Sequence, residues 1–158
     1  MAGKKLVAYF SATGTTESLA RALATAAGAD LVEILPVAPY SSADLDWTDR
    51  GSRSTLEMKD ASVRPAISTH VDNMADYDTI FLGFPIWWGE APRVCQTFLE
   101  DYDLAGKTVV PFATSGGSGI GGAHRALVAS AKGAKVERGE LLNGRQNQDK
   151  LAKWAARF

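Results

Sequence analysis

Alternating strand-like and helix-like segments in this 158-residue sequence predict an α/β fold, a doubly wound parallel sheet with helices on both faces. Three observations carry that expectation. Short continuous apolar runs recur, suited to strands buried on both sides. Segments with apolar residues at helical spacing separate them. Runs rich in Ser, Thr and Gly directly follow several of the apolar runs, at the strand ends where open α/β sheets bind ligands.

The first strand is expected over 6–10, a Leu-Val-Ala-Tyr-Phe run. A helix over 17–27 sets Leu19, Ala20, Leu23, Ala24 and Ala27 on one face and stops at Gly28, a C-cap residue. A second strand over 31–35 is halted by Pro36. Residues 36–66 are polar and turn-rich, with weak periodicity, and are expected as one long irregular segment of the kind that carries function or moves. A third strand follows over 79–84, then a helix over 91–99, a strand over 108–113 and a helix over 121–131. A short strand near 134–141 and a helix over 147–156 complete the order. Neither an internal repeat nor a linker interrupts it, so a single domain is expected over 1–158. Parallel neighbours need right-handed crossovers, which the intervening helices supply.

Composition narrows the function classes. Apolar residues make up 46% and charged residues 22%, which argues against a disordered chain, a collagen or a coiled coil. The 17 basic and 18 acidic side chains give a net charge of −1, so no general attraction to nucleic acid or to anionic membranes is expected. One cysteine, Cys95, makes no internal disulfide. The apolar run after Lys4 and Lys5 is too short for a signal peptide or a membrane span, so a cytoplasmic location is expected. Charge is unevenly spread: residues 71–105 carry only Arg93 against seven acids, and 106–158 carry nine bases against three acids. Such runs are ordinarily solvated helix faces.

Three loops stand at strand ends. The first, Ser11-Ala12-Thr13-Gly14-Thr15-Thr16, offers four hydroxyls and a helix N-terminus. Backbone N–H groups there lack helical partners, and the dipole favours an anion by about 0.3–1 kcal/mol. With no Lys or Arg in the loop, it suits a terminal monophosphate held by neutral donors. Without a ligand the same residues read as a Ser/Thr-rich helix cap. The second loop, Pro85-Ile86-Trp87-Trp88-Gly89, places two indoles where a flat heterocycle could be covered, or where one indole joins the core and the other caps the surface. The third loop, 114–121, has four glycines in eight residues and lets backbone approach a planar ligand. It also contains Gly117-Ser118-Gly119-Ile120-Gly121-Gly122, a match to the dinucleotide pattern G-x-G-x-x-G with Glu140 downstream. A P-loop fails, because Asp101 occupies the position that needs the first glycine before Gly106-Lys107-Thr108.

Together these loops resemble those of the flavodoxin family, in particular flavodoxin-like proteins with Pro-Ile-Trp-Trp-Gly and Thr-Ser-Gly-Gly-Ser-Gly segments. The resemblance spans nearly the whole chain. It implies a three-layer sandwich with a five-stranded parallel sheet of order 2-1-3-4-5, of the type without a long insertion in the last strand, and non-covalently bound FMN. It places Ser11, Ala12, Thr13, Gly14, Thr15 and Thr16 at the FMN phosphate. Pro85, Ile86, Trp87, Trp88 and Gly89 then flank one side of the isoalloxazine, and Thr114, Ser115, Gly116, Gly117 and Gly119 the other. It turns the G-x-G-x-x-G match into a flavin-contacting loop. The chain departs from the better-known carriers in having no aromatic ring in the third loop and no strongly acidic balance.

The function implied is electron transfer through FMN, the alternative being an FMN-dependent NAD(P)H or quinone oxidoreductase. Expected partners are a redox protein or a small-molecule donor or acceptor, and the chain is expected as a monomer or weak homodimer. The open flavin face leaves room for a substrate, lidded by 36–66 with Tyr40, Trp47, Arg50 and Arg53. Acids near the second loop in sequence are expected to disfavour the negative charge of reduced flavin. At about 10 Å and an effective dielectric of 20–80, each costs roughly 0.4–1.7 kcal/mol. Gly89 is expected to let its peptide turn its carbonyl toward the flavin N5. Cys95 reads as a small buried hydrophobe and His124 as a capping residue, and His70 and the methionines show no metal-ligand spacing.

Overall fold

A computed structural model describes residues 4–115, 119–143 and 146–158. Six strands form the sheet: β1 (Lys4–Tyr9), β2 (Asp30–Glu33), β3 (Tyr77–Pro85), β4 (Thr108–Thr114), β5 (Lys135–Val136) and β6 (Glu140–Leu141). Among the described residues five α-helices accompany them: α1 (Thr15–Ala27), α2 (Arg53–Lys59), α3 (Arg93–Glu100), α4 (His124–Ser130) and α5 (Gln148–Ala155). All strand pairs are parallel and the order is β2-β1-β3-β4-β5, with β6 also on β4, so the expected order 2-1-3-4-5 holds.

The strands are continuous apolar runs because both faces are buried. Leu6, Ala8 and Phe10 of the first run, with Ile80, Leu82 and Phe84 of β3, point into one core, which also takes Val94, Cys95 and Phe98 of α3 and Leu127 of α4. Val7, Tyr9, Phe81 and Phe112 point the other way, onto Leu19 and Leu23 of α1 and Leu151 and Trp154 of α5. Gly83 belongs to that second face, where a Cβ would lie 2.3 Å from the Phe112 ring.

The outer strand is split rather than continuous over 134–141. Val109 and Ala113 accept from Glu137 N–H at 2.8 Å and Leu142 N–H at 2.9 Å, so alternate residues of β4 address that edge. Pro111 lies between them and has no N–H to give. Two β4 residues oppose three on the edge, and the extra residue is absorbed at Gly139, with φ 76° and a Cβ position 2.1 Å from the Pro111 carbonyl oxygen.

Segment 36–66 is not wholly irregular. It contains α2, capped by Ser52, whose Oγ accepts from Thr55 N–H at 3.4 Å. The segment is pinned at its ends by an antiparallel bridge between Pro36 and Ile67. Residues 41–59 thus form a cap beside the carboxyl ends of β1 and β3, where Tyr40 packs edge-on against Phe10 (5.5 Å) and Trp87 (5.4 Å).

Candidate functional site

The loops after β1, β3 and β4 and the cap converge on one cleft of about 800 Å3. Ala12, Thr13, Thr15 and Thr16 line it from the first loop, Pro85, Ile86, Trp87 and Trp88 from the second, and Thr114 and Ser115 from the third. The cap adds Leu45, Trp47 and Ser54, and the loop after β6 adds Asn143. None of the described lining residues is charged. An adjoining cleft of about 620 Å3 reaches Gly14 and Ser18 around the start of α1.

The first loop is built around Gly14, the N-cap residue of α1, with φ 94° and open space where a Cβ would stand. No side chain caps this helix, so the alternative reading of the loop as a Ser/Thr helix cap does not describe it. Ser11 instead accepts the Gly14 N–H at 3.0 Å and folds the loop back, and it does not line the cleft. The buried Thr16 hydroxyl shares a 3.0 Å hydrogen bond with the Thr114 hydroxyl, locking the first loop to the third. That leaves Thr13, Thr15 and the N-terminal N–H groups of α1 as the donors facing the cleft.

The second loop is a two-residue hairpin. Trp87 N–H donates to the Glu90 carbonyl at 2.9 Å and Glu90 N–H to the Trp87 carbonyl at 3.0 Å, with Trp88 (φ 49°) and Gly89 (φ 78°) at the tip. Positive φ at both positions is the signature of a type I′ turn. It suits Gly89 but strains Trp88, at a cost on the order of 1–3 kcal/mol. The two indoles have different fates. Trp87 packs edge-on against Phe10 (5.6 Å) and Tyr40, leaving Trp88 49% exposed at the mouth of the cleft. The Gly89 carbonyl faces Gly122, where a Cβ would come within 2.7 Å of it. Turning that peptide toward the cleft therefore requires breaking the hydrogen bond from Glu90 to Trp87.

In the third loop, Ser115 N–H donates to Asn143 Oδ1 at 2.9 Å and Asn143 Nδ2 returns a bond to the Ser115 carbonyl at 3.0 Å. Gly119 has open space around its Cβ position. Gly116 and Gly117 lie outside the described residues.

The cap is tied to the second loop by Arg93, whose side chain is 2% exposed. Its guanidinium donates to the carbonyls of Glu57 (3.2 Å) and Met58 (3.1 Å) at the end of α2, to Gln96 Oε1 (2.9 Å) and to Glu90 Oε1 (3.4 Å). Cations suit that end of a helix. Two of the expected lid residues serve the same joint rather than the cleft. Tyr40 donates to Glu57 Oε1 at 2.5 Å, and Arg53 lies 3.8 Å over its ring and bonds Glu57 Oε2 at 3.0 Å. Burial, then the Glu57 carboxylate, hold the Tyr40 phenol protonated far above its ordinary range.

The acids near the second loop in sequence do not surround it in space. Asp76 and Asp78 sit at the start of the nine-residue β3 and the loop at its end, roughly 25 Å away at 3.3 Å per residue. That exceeds two Debye lengths at physiological salt. Glu90 alone lies in the loop, and Arg93 balances it. His124 faces away as well, with Nε2 at 2.9 Å from the Val136 carbonyl.

Sequence reasoning missed Asn143, Leu45 and Ser54. Asn143 was discoverable in principle, because it follows the last strand at the same sheet edge. Leu45 and Ser54 carry no sequence signal of their own.

A family model described as flavodoxin matches residues 4–158. The chain is a member of the flavodoxin family. Among solved structures, this flavodoxin-family chain is 49% identical to a flavoprotein from Bacteroides eggerthii, covering 98% of this chain and 96% of that one with a TM-score of 0.89. It is 48% identical to a flavoprotein from Bacteroides uniformis, covering 99% of each at a TM-score of 0.91. A flavoprotein from Lactobacillus acidophilus, crystallised in complex with FMN, shares the fold at 23% identity and a TM-score of 0.72, over 98% of this chain and 99% of that one. No curated protein is significantly similar in sequence. Among the described residues of this family member, no helix is long and apolar enough to cross a membrane.

Proposed function

We propose that the protein binds FMN non-covalently in this cleft and transfers electrons through it. The observation that carries the reading is the uncapped N-terminus of α1, which opens between hydroxyls on the same cleft as an exposed indole, with no charged side chain among the described lining residues. Such a donor set fits a monophosphate, and the space left by the missing Gly14 side chain lets it approach the backbone. In this reading Thr13, Thr15 and the α1 N–H groups hold the phosphate, with Ser11, Gly14 and Thr16 shaping their loop. Pro85, Ile86, Trp87 and Trp88 cover one side of the ring system, Gly89 sets their turn, and Thr114, Ser115 and Gly119 approach the other side. When bound, FMN supplies one- and two-electron chemistry, and the protein sets its position and surroundings. The FMN complex of the Lactobacillus acidophilus flavoprotein supports the choice of flavin.

The purified protein is expected to be yellow, or to acquire bound-flavin absorbance when FMN is added. A colourless protein that leaves added FMN fluorescence unquenched refutes the reading. The cap residues Leu45, Trp47 and Ser54 on the same cleft favour a second reading, a reductase acting on a small molecule. Rapid bleaching of the bound flavin by NADPH alone in a stopped-flow experiment selects the reductase. Bleaching only through a partner protein selects the carrier.

A further inference from the structure

The third loop leaves β4 from a root that three other loops hold. Along 113–115 the backbone is pinned on alternate sides. The Ala113 carbonyl accepts from Leu142 N–H at 2.9 Å, and the Thr114 carbonyl accepts from Ile86 N–H of the tryptophan loop at 2.9 Å. The Thr114 hydroxyl meets that of Thr16, from the first loop, at 3.0 Å. Ser115 lies just past the end of β4, and there a side chain takes over from backbone. Asn143 accepts Ser115 N–H at 2.9 Å and donates to the Ser115 carbonyl at 3.0 Å. A primary amide carries an acceptor and a donor side by side, so it copies the pairing that a neighbouring strand would give and extends the ladder past Leu142. Asn143 also lines both clefts, at the boundary where they share Thr13, Thr15 and Thr114.

Resting on the flavin reading, we propose that Asn143 is a positioning residue for the flavin ring. Its amide is turned to the Ser115 peptide, and it acts through that peptide. Holding both polar groups of Ser115 fixes the direction in which the third loop departs from the sheet, and with it the wall offered to the ring. Both hydrogen bonds are exposed, so the groups released on their loss are taken up by water and the fold gives up little stability. What goes is a loop already set in its binding conformation, and that is felt in ligand affinity.

The test separates ring from phosphate by comparing FMN with riboflavin, which has the ring system and no phosphate. Both are titrated by flavin fluorescence into flavin-free wild type and Asn143→Ala. The variant is expected to bind each about 3- to 10-fold more weakly, the loss of one hydrogen bond's worth of ordering, with the ratio of the two affinities unchanged. At saturation its visible flavin bands should be displaced from those of wild type, and its flavin-free form should melt within about 2–4 °C of wild type. Asn143→Asp, measured with uncharged riboflavin, fills the same space but turns a carboxylate on the Ser115 carbonyl, and it should bind as weakly as Asn143→Ala. Wild-type riboflavin affinity in Asn143→Ala overturns the proposal, and a loss confined to FMN gives the residue to the phosphate instead. Wild-type riboflavin affinity in Asn143→Asp overturns it too, because filling the space is then enough. In each of these cases wild type still takes up flavin and the flavin reading stands. Wild type binding neither ligand brings down both.

Discussion

Replacing Arg93 by methionine keeps most of the side-chain volume and removes the cation that joins the cap to the tryptophan turn. The magnitude follows from what is stranded. The Met58 carbonyl and the amide oxygen of Gln96 lose a donor in a place where Arg93 is 2% exposed, while the Glu57 carbonyl keeps the Asp60 N–H at 3.3 Å. Each buried acceptor left unpaired costs about 1–3 kcal/mol. Glu90 adds little, because its side chain is 34% exposed and returns to water. Breaking one side of a buried charged network costs about 3–5 kcal/mol, in line with that count. For a domain of this size, 1 kcal/mol corresponds to roughly 2–4 °C, so Tm should fall by about 6–20 °C. Urea unfolding followed by tryptophan fluorescence should show a lower midpoint at unchanged slope. Arg93→Lys should fall between the two, since an ammonium keeps the charge but cannot span four acceptors. A loss below about 1 kcal/mol in Arg93→Met would refute the idea that this residue holds the cap.

Three further outcomes follow from the geometry. Gly122→Ala places a Cβ 2.7 Å from the Gly89 carbonyl oxygen and should push the tryptophan turn aside, costing about 1–3 kcal/mol in a denaturant melt and weakening FMN uptake; unchanged values in both would contradict the contact. Burial holds the Cys95 thiol well above its ordinary range, so the folded protein should resist a thiol reagent at pH 8 and react only in denaturant. All four tyrosines are shifted upward, each first by burial, with Tyr9 pushed up to about 12. Absorbance at 295 nm in the FMN-free protein should therefore rise less at pH 10 than it does in the unfolded chain. The stability that Tyr9 gains by staying neutral is full below pH 10 and is lost as pH climbs toward 12, so the alkaline melt should steepen across that window.

Much of the fold was legible because its signals are local. Leu6 to Phe10 is apolar throughout, since both faces of β1 are covered, and that uniformity marks a buried parallel strand wherever it lies in the chain. The three loops that line the cleft were legible for a similar reason, as each follows a strand within one or two residues. What escaped depends on distance in space. Helix α2 has only seven residues and is held by Arg93 from another element, which no periodicity within 36–66 announces. Asn143 acts on Ser115 across 28 positions. The acids of 71–105 show the converse, because neighbours along the chain were placed at opposite ends of β3.

Pro111 gives the sheet a broken margin. Its missing N–H divides the outermost ladder into two pairs of residues, with a left-handed glycine between them. A rim so short and bent offers an incoming chain no straight row of backbone groups to copy. The side farthest from β2 is thereby guarded against strand addition by the same proline that kinks it.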